Sequence, residues 1–150
     1  MSNEGRKNIV KIMVFGTFDG LHLGHLNFFK QARSLGGPKV TLIVSIARDK
    51  NVKRIKKNLP TMGEKKRMML VKNSKLVDKV VLSGITNYVP HIVRESPDII
   101  ALGYDQNNYV QNLKKDLKNK GLKVKIVRLK PYKEKIYKNS LLKNKIRYTV

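Results

Sequence analysis

The chain has 150 residues, of which 33 are Lys or Arg and 10 are Asp or Glu, so its formal net charge is +23. Hydrophobic residues make up 41% of the chain, which is enough for a core and excludes a disordered basic tail. The absence of cysteine excludes a disulfide framework, a thiolate metal site and a cysteine nucleophile.

Short apolar runs and amphipathic stretches alternate from the start of the chain. Residues 9–15 predict a buried strand that ends at Gly16. Apolar residues from 26 to 35 recur at helical spacing, and the next predicted strand covers residues 40–46. Thr61 and Glu64 have the spacing of a capping box, which predicts a helix that runs past Val71 with Thr61 as its N-cap.

The alternation continues to the C-terminus. Strands are predicted at residues 77–82, 98–102 and 124–129, and helices at 88–94 and 107–120. Asn139 or Ser140 is a predicted N-cap for a last helix that reaches Arg147. The pattern predicts an α/β fold: a single domain over residues 1–150, built on a doubly wound parallel five-stranded sheet with helices on both faces. Ligands of such sheets bind beyond the carboxyl ends of the strands, here at residues 16–25 and 103–106.

The charge and the hydropathy pattern narrow the partners. A charge of +23 favours anions as a class, from nucleic acid to small phosphate-bearing substrates. An RNA-binding module is an alternative on charge alone, but no motif with interleaved basic and aromatic residues is present, so we expect no nucleic acid partner. No apolar run reaches the roughly 20 residues that span a bilayer and no signal-peptide pattern is seen, so we expect a cytoplasmic protein without a membrane partner.

The segment GTFDGLHLGH, from Gly16 to His25, follows the first predicted strand. It matches neither GxxxxGK[ST] nor GxGxxG, yet glycines that allow close approach and the N-terminus of a helix suit a phosphate group. His22 and His25 are three residues apart, so both lie on one side of the opening helical turn. A zinc site would need a third ligand, and His91 lies in another segment, so we predict no metal site in the protein.

The same segment resembles the HxGH signature of nucleotidylyltransferases related to glycerol-3-phosphate cytidylyltransferase and phosphopantetheine adenylyltransferase. Two other stretches, ARDKNVK at residues 47–53 and PDIIALGYDQ at residues 97–106, are similar to the archaeal FAD synthase branch of that superfamily. The resemblance implies a Rossmann-like fold of the HxGH type. It also implies transfer of AMP from ATP to FMN, which gives FAD and pyrophosphate, with Mg²⁺ carried on the nucleotide and a homodimer as the assembly. A cytidylyltransferase for a small phosphorylated alcohol or sugar is the alternative within the superfamily.

The resemblance also implies roles for particular residues. His22 and His25 would bind the phosphates of the donor, and Lys56 and Arg67 would bind phosphate beside them. The catalytic set is therefore His22, His25, Lys56 and Arg67, although Lys53, Arg54 and Lys57 compete with Lys56 for its role. The expected nucleotide-binding residues are Gly16, Thr17, Phe18, His22, Leu23, Gly24, His25, Gly103, Asp105, Tyr132 and Ser140.

The chain departs from the pattern of the resemblance at two places. Relatives commonly have a glycine beside the lysine after the second strand, where this chain has Lys56-Lys57-Asn58. Many have a turn rich in Ser and Thr near the C-terminus, of which only Ser140 remains here. Asn139 and the N–H groups of the helix that follows are the remaining candidates for a phosphate contact there.

Overall fold

The computed structural model describes residues 9–56, 60–84, 87–106 and 110–132. In that part of the chain, five strands form one sheet: β1 (Val10–Gly16), β2 (Val40–Ile46), β3 (Lys79–Leu82), β4 (Ile99–Leu102) and β5 (Lys125–Arg128). All neighbouring strands are parallel, and their order is β3-β2-β1-β4-β5. The predicted doubly wound parallel sheet is confirmed.

The described residues also form five helices: α1 (Leu23–Ser34), α2 (Asp49–Lys56), α3 (Glu64–Asn73), α4 (Val89–Glu95) and α5 (Val110–Asn119). Helices α1 and α3 cover one face of the sheet, and α4 and α5 cover the other. The alternating residues of β1 show this division, because Ile12 and Val14 belong to the first core and Met13 and Phe15 to the second. The strands in the middle of the sheet are buried on both faces, which explains their continuous apolar sequences. No helix among the described residues is both long enough and apolar enough to cross a bilayer.

The register of β1 differs between its two neighbours. It pairs with β2 along its whole length, from Val10 to Gly16. It pairs with β4 only at Ile12 and Met13. Beyond Met13, β1 and β4 separate, so a crevice opens at the carboxyl edge where the strand order reverses.

Two sequence predictions about helices need correction. The N-cap of α3 is Gly63 and not Thr61, and no side chain within that helix caps it. The helix is instead capped from α2, since Asp49 Oδ2 accepts from the Glu64 N–H at 3.2 Å while Glu64 Oε1 accepts from the Asp49 N–H at 2.8 Å. Helix α2 itself was not predicted, because residues 49–56 are mostly polar and carry too few apolar positions for a periodic signal. The predicted helix that starts at Asn139 or Ser140 lies outside the described residues.

Candidate active site

The turn from β1 into α1 places the two histidines of the HLGH sequence side by side. His22 is the N-cap of α1, and its Nδ1 accepts from the Gly24 N–H at 3.0 Å. His25 lies in the first turn, and its Nδ1 accepts from the His22 N–H at 3.3 Å. The two rings are 3.9 Å apart between centroids and both side chains are buried. The spacing HxxH therefore forms a reciprocal capping box, with imidazole nitrogens in the role that Ser and Glu oxygens usually have.

These contacts fix the protonation state of both rings. A neutral imidazole has one acceptor and one donor nitrogen, so a ring whose Nδ1 accepts from the main chain carries its proton on Nε2. Burial, and to a lesser extent charge repulsion from His22, together lower the pKa of His25 to about 3. Burial also lowers the pKa of His22. Both rings are therefore neutral N–H donors at neutral pH, and the Nε2 of His25 has no hydrogen-bond partner among the described residues.

Phe18 supports this arrangement from below. Its backbone is left-handed, with φ of 51°, a conformation that costs a non-glycine residue about 1–2 kcal/mol. This turn directs its ring back under Gly16 and against the edge of His25, with ring centroids 5.3 Å apart. A Cβ at Gly16 would lie 2.6 Å from two carbons of that ring, so only glycine is accommodated at Gly16. A second ring contact, to Phe29 at 5.3 Å, holds Phe18 in the core.

A pocket of about 210 Å³ opens at the carboxyl ends of β1 and β4. Nine of the predicted residues line it: Gly16, Thr17, Phe18, His22, Gly24, His25, Gly103, Asp105 and Tyr132. Leu23 does not line it and has 61% of its surface exposed, because it is the first residue of α1 and points away from the crevice. The structure therefore brings together, in one pocket, predicted residues from both ends of the described chain.

Arg67 requires a correction, because the structure does not place it at the pocket. Its side chain has no exposed surface and donates to four oxygens: the main-chain oxygens of Thr17 (2.9 Å), Ala47 (2.8 Å) and Met62 (3.0 Å), and Asp49 Oδ1 (2.6 Å). A phosphate has no access to a guanidinium enclosed in this way. The predicted catalytic contact is replaced by a positioning role, in which Arg67 ties the loop after β1 to the loops before α2 and α3.

Asp19 makes the same connection from the other side. Its two carboxylate oxygens accept from the N–H groups of Thr61 (2.6 Å) and Met62 (2.7 Å). The loop that carries Thr17 and Phe18 is thereby fixed to the segment that precedes α3. Asp19 and its two partners are more than forty residues apart in the sequence, so no local pattern reveals this link.

The remaining basic and polar candidates are not tested by this geometry. Lys56 ends α2, and its side chain, like those of Arg54 and Lys57, lies outside the described residues. Lys53 is exposed on the same helix. Ser140 and Asn139 also lie outside the described residues. Their roles stay predictions.

The third histidine has surroundings of its own. His91 lies on α4, on the opposite face of the sheet from α1, where its Nε2 is 2.8 Å from Ser45 Oγ and its ring meets the edge of Phe15. It is buried in the second core and is not a neighbour of His22 and His25 in the capping box. The described residues contain no group of three His, Asp or Glu side chains arranged to hold a metal ion.

Sequence reasoning missed three residues that shape the pocket, Gln31, Arg128 and Lys130, and it placed Gln106 at the binding edge without giving it a role. Gln106 and Arg128 bond to the main chain of the loop after β4, and Gln31 bonds to the main chain of Lys130 after β5. Gln106 stands within the GYDQ stretch, which was a usable signal. Gln31, Arg128 and Lys130 belong to no motif, because their contacts join segments that are far apart in the sequence.

The fold and this site define a class of protein. A family model described as cytidylyltransferase-like matches residues 13–147, and the chain belongs to this family of nucleotidylyltransferases. A solved structure described as the lipopolysaccharide core biosynthesis protein from Thermoplasma volcanium is similar, with a TM-score of 0.74 and 35% identity over 82% of this chain and 98% of that one.

Several archaeal proteins named FAD synthase are similar to the chain in sequence. The chain is 46% identical over 96 residues to the FAD synthase of Korarchaeum cryptofilum, covering 64% of this chain and 65% of the relative. It is 38% identical over 118 residues to that of Methanothermobacter marburgensis, covering 79% and 73%. It is 40% identical over 116 residues to that of Thermococcus sibiricus, covering 77% and 76%. The match to the relative from Korarchaeum cryptofilum thus spans a little less than two thirds of that protein.

Proposed function

We propose that the chain transfers the adenylyl group of ATP to FMN and so makes FAD. An oxygen of the FMN phosphate attacks the α-phosphorus of ATP, the bond from that phosphorus to the β-phosphate bridging oxygen breaks, and pyrophosphate leaves. The observation that carries the proposal is the pair of imidazoles, His22 and His25, fixed at the pocket with their Nδ1 atoms held by the main chain. The FAD synthase name of the similar archaeal proteins supports ATP and FMN as the substrates.

The geometry suits a reaction that needs positioning and charge stabilisation more than covalent chemistry. FMN supplies the nucleophile, so the protein has only to align it with the α-phosphorus and to stabilise the charge that builds on the leaving pyrophosphate. Neutral Nε2–H groups of His22 and His25 donate hydrogen bonds to phosphate oxygens. The N-terminus of α1 adds the positive end of its helix dipole, which favours a phosphate at this position. The buried Nε2–H of His25, which has no hydrogen-bond partner within the described ranges, is well placed to donate to such an oxygen.

The rest of the pocket suits the nucleoside of the donor. Thr17 and Phe18 supply main-chain contacts to the triphosphate, with Gly16 allowing the approach. Asp105, exposed beside Gly103, accepts hydrogen bonds from ribose hydroxyls or from an adenine amino group. Tyr132 offers a ring on which a base stacks. Lys56 and Ser140 remain the proposed additional phosphate contacts, and the assembly is proposed to be a homodimer.

Magnesium enters as part of the substrate. A triphosphate needs a divalent cation to neutralise it, and Mg²⁺ prefers to keep several waters and to bind phosphate oxygens. Among the residues that line the pocket, Asp105 is the one carboxylate. We therefore propose MgATP as the bound donor, with Mg²⁺ carried by the phosphates. Chelation of Mg²⁺ is expected to stop the reaction, and added Mg²⁺ to restore it.

The experiment must separate this activity from transfer of a cytidylyl group, which the description of the family model makes the second candidate. Purified protein is incubated with FMN plus MgATP, with FMN plus MgCTP, and with glycerol 3-phosphate plus MgCTP. Products are separated by chromatography and pyrophosphate is measured. We expect FAD and pyrophosphate from the first mixture. Product from the third mixture alone would contradict FAD synthesis and support the cytidylyltransferase.

The histidines are tested with variants that preserve the capping box. In His25→Asn, the side-chain oxygen takes the place of Nδ1 and accepts from the His22 N–H, while the Nε2 donor is lost. We expect a fall in turnover of about 10²–10³-fold, the usual cost of one such donor, with a melting temperature near that of the wild type. His22→Asn is the partner variant, because Asn is a good N-cap. Turnover near the wild-type rate in both folded variants would contradict the role given to the imidazoles.

A further inference from the structure

Two glutamine side chains pair with the main chain at two separate walls of the pocket. Gln106 Oε1 accepts from the Gly103 N–H at 2.8 Å, and its Nε2 donates to the Phe15 oxygen at 2.9 Å. Gln31 Oε1 accepts from the Lys130 N–H at 3.0 Å, and its Nε2 donates to the oxygen of the same residue at 2.8 Å. In each case one side-chain amide takes the place of a missing strand neighbour.

Gln106 bridges the crevice itself. Strands β1 and β4 pair at Ile12 with Ile99 and at Met13 with Ile100, so their ladder ends before it reaches Phe15 and Gly103. An unpaired main-chain group at such a place costs free energy, and the amide of Gln106 satisfies one group on each side. The distance between the two strand ends is therefore fixed by the length of one side chain.

Gln31 fixes the opposite wall. Strand β5 ends at Arg128, and Lys130 lies beyond the sheet, where none of the five described strands pairs with it. Gln31 projects from α1 and holds both polar groups of the Lys130 main chain, and its own Nε2 is oriented by Asn27 Oδ1 at 2.7 Å. Pro131 and Tyr132, which line the pocket, follow directly from this anchored residue.

Arg128 links the two walls. Its Nη1 donates to the main-chain oxygens of Gly103 at 2.8 Å and Gln106 at 3.0 Å. The loop after β4 is thus attached to β1 through Gln106 and to β5 through Arg128. Both glutamines also line the pocket, so the same side chains that set its shape lie against whatever occupies it.

We propose that Gln31 and Gln106 are positioning residues that set the width of the slot for the donor nucleoside. The inference rests on the proposed function, since it takes the pocket to hold a nucleotide. A planar base gains from stacking only when both walls are fixed at the correct separation before it binds. The wall formed by Lys130 to Tyr132 depends on Gln31, and the wall formed by Gly103 to Gln106 depends on Gln106. The histidines are fixed separately by their own capping box, so loss of a glutamine affects nucleotide binding more than the chemical step.

The test uses Gln31→Met and Gln106→Met, which keep the length of the side chain and remove both of its hydrogen bonds to the main chain. Arg33→Met is the matched control, because Arg33 lies on α1 and bonds to the Leu76 oxygen and to Asp78 away from the pocket. ATP affinity is measured by calorimetry, and KM for ATP, KM for FMN and kcat are measured by FAD formation. Melting temperatures show that each variant is folded.

We expect each glutamine variant to bind ATP about tenfold more weakly, as the loss of one or two hydrogen bonds implies, with KM for FMN and kcat within about threefold of the wild type. Gln106→Glu is expected not to restore affinity, because a carboxylate oxygen would face the Phe15 oxygen where the amide donated. A residue that only filled space would be replaced by Met or Glu without loss.

Two results would overturn the inference. One is ATP affinity in the glutamine variants within about twofold of the wild type, and the other is equal weakening in Arg33→Met. Failure of the proposed function alone gives a different result. The wild-type protein would then bind ATP, and the glutamine variants would bind it more weakly, but no FAD would form. Wild-type protein that binds neither ATP nor CTP would overturn both.

Discussion

His22 and His25 each serve the fold with one ring nitrogen, and this double use explains why the turn needs two histidines and not two simpler capping residues. Ser or Asp at these positions would cap α1 equally well, but neither side chain has a second group like Nε2–H that could donate to a phosphate. The cap also orients the imidazoles before any ligand arrives, since the main chain holds Nδ1 in both. Preorganised donors of this kind need no rearrangement as charge develops on a phosphate.

The buried imidazoles predict how stability depends on pH. His25 has its pKa lowered from 6.5 to about 3 by burial and then by His22, whereas the unfolded chain binds the proton near pH 6.5. The stabilisation is therefore complete above pH 6.5 and is lost as the pH falls towards 3. His22 and His91, whose pKa values burial also lowers, act in the same direction.

The measurement is the midpoint of chemical denaturation at pH 7 and at pH 4.5 for the wild type and for His25→Asn. We expect the wild type to lose more stability between the two pH values than the variant, because the variant has no imidazole to protonate at that position. An identical loss in both proteins would show that His25 ionises in the folded protein as readily as in the unfolded one.

Three loops at the carboxyl edge depend on Arg67, which joins elements that are distant in the sequence. Its loss would leave main-chain oxygens of Thr17, Ala47 and Met62 without their donor and Asp49 without its cation. For Arg67→Met we expect a loss of about 3–5 kcal/mol in the free energy of unfolding, because the guanidinium is fully buried and four acceptors lose their donor, although Asp49 itself is one-third exposed.

Arg33→Met is the control, since the ion pair of Arg33 with Asp78 is partly exposed and is worth at most about 1 kcal/mol. Both variants are compared with the wild type by urea denaturation. Equal losses in the two variants would contradict the importance assigned to burial. Arg67→Lys, which keeps the charge but not the fork of donors, is expected to fall between the wild type and Arg67→Met.

The elements that sequence could predict are those whose signal is local. The strands at β1 and β2 are continuous apolar runs, and α1 has an apolar residue at nearly every turn, so their positions followed from pattern alone. Val52 is a buried apolar residue of helix α2, and the helix is held by Asp49 and Glu64, a pair fifteen residues apart that no local pattern reveals. The true N-cap of α3 was missed for the same reason.

The candidate site divides in the same way. The histidines could be predicted because HLGH is one short segment whose chemistry is visible in its letters. Arg67 could not be placed correctly. The sequence does not show whether a basic residue near a phosphate-binding loop faces solvent or donates to three carbonyl oxygens. The contacts of Gln31 with Lys130 join residues ninety-nine positions apart and need the fold to be seen.

The whole molecule has many more basic than acidic side chains, 33 against 10, so at least 23 basic residues have no acidic side chain to pair with singly. Their mutual repulsion opposes the folded state, and the same field attracts a triphosphate. Salt is therefore expected to act in opposite directions on stability and on binding.

We expect the melting temperature of the unliganded protein to rise between low salt and about 0.15 M salt, because screening weakens repulsion over distances beyond about 8 Å. Over the same range we expect the affinity for ATP, measured by calorimetry at constant Mg²⁺, to fall. A change in the same direction for both quantities would show that specific ion binding, and not the general field, controls one of them.

The contact between Gly16 and Phe18 has an evolutionary consequence. Any larger residue at 16 would displace a ring that Phe29 and His25 already enclose, and a smaller residue at 18 would leave His25 without its neighbour. Neither position tolerates an independent change, so lineages that keep the imidazole chemistry are expected to inherit both residues together. We expect substitutions at Gly16 or Phe18 to occur first in descendants that have lost the activity.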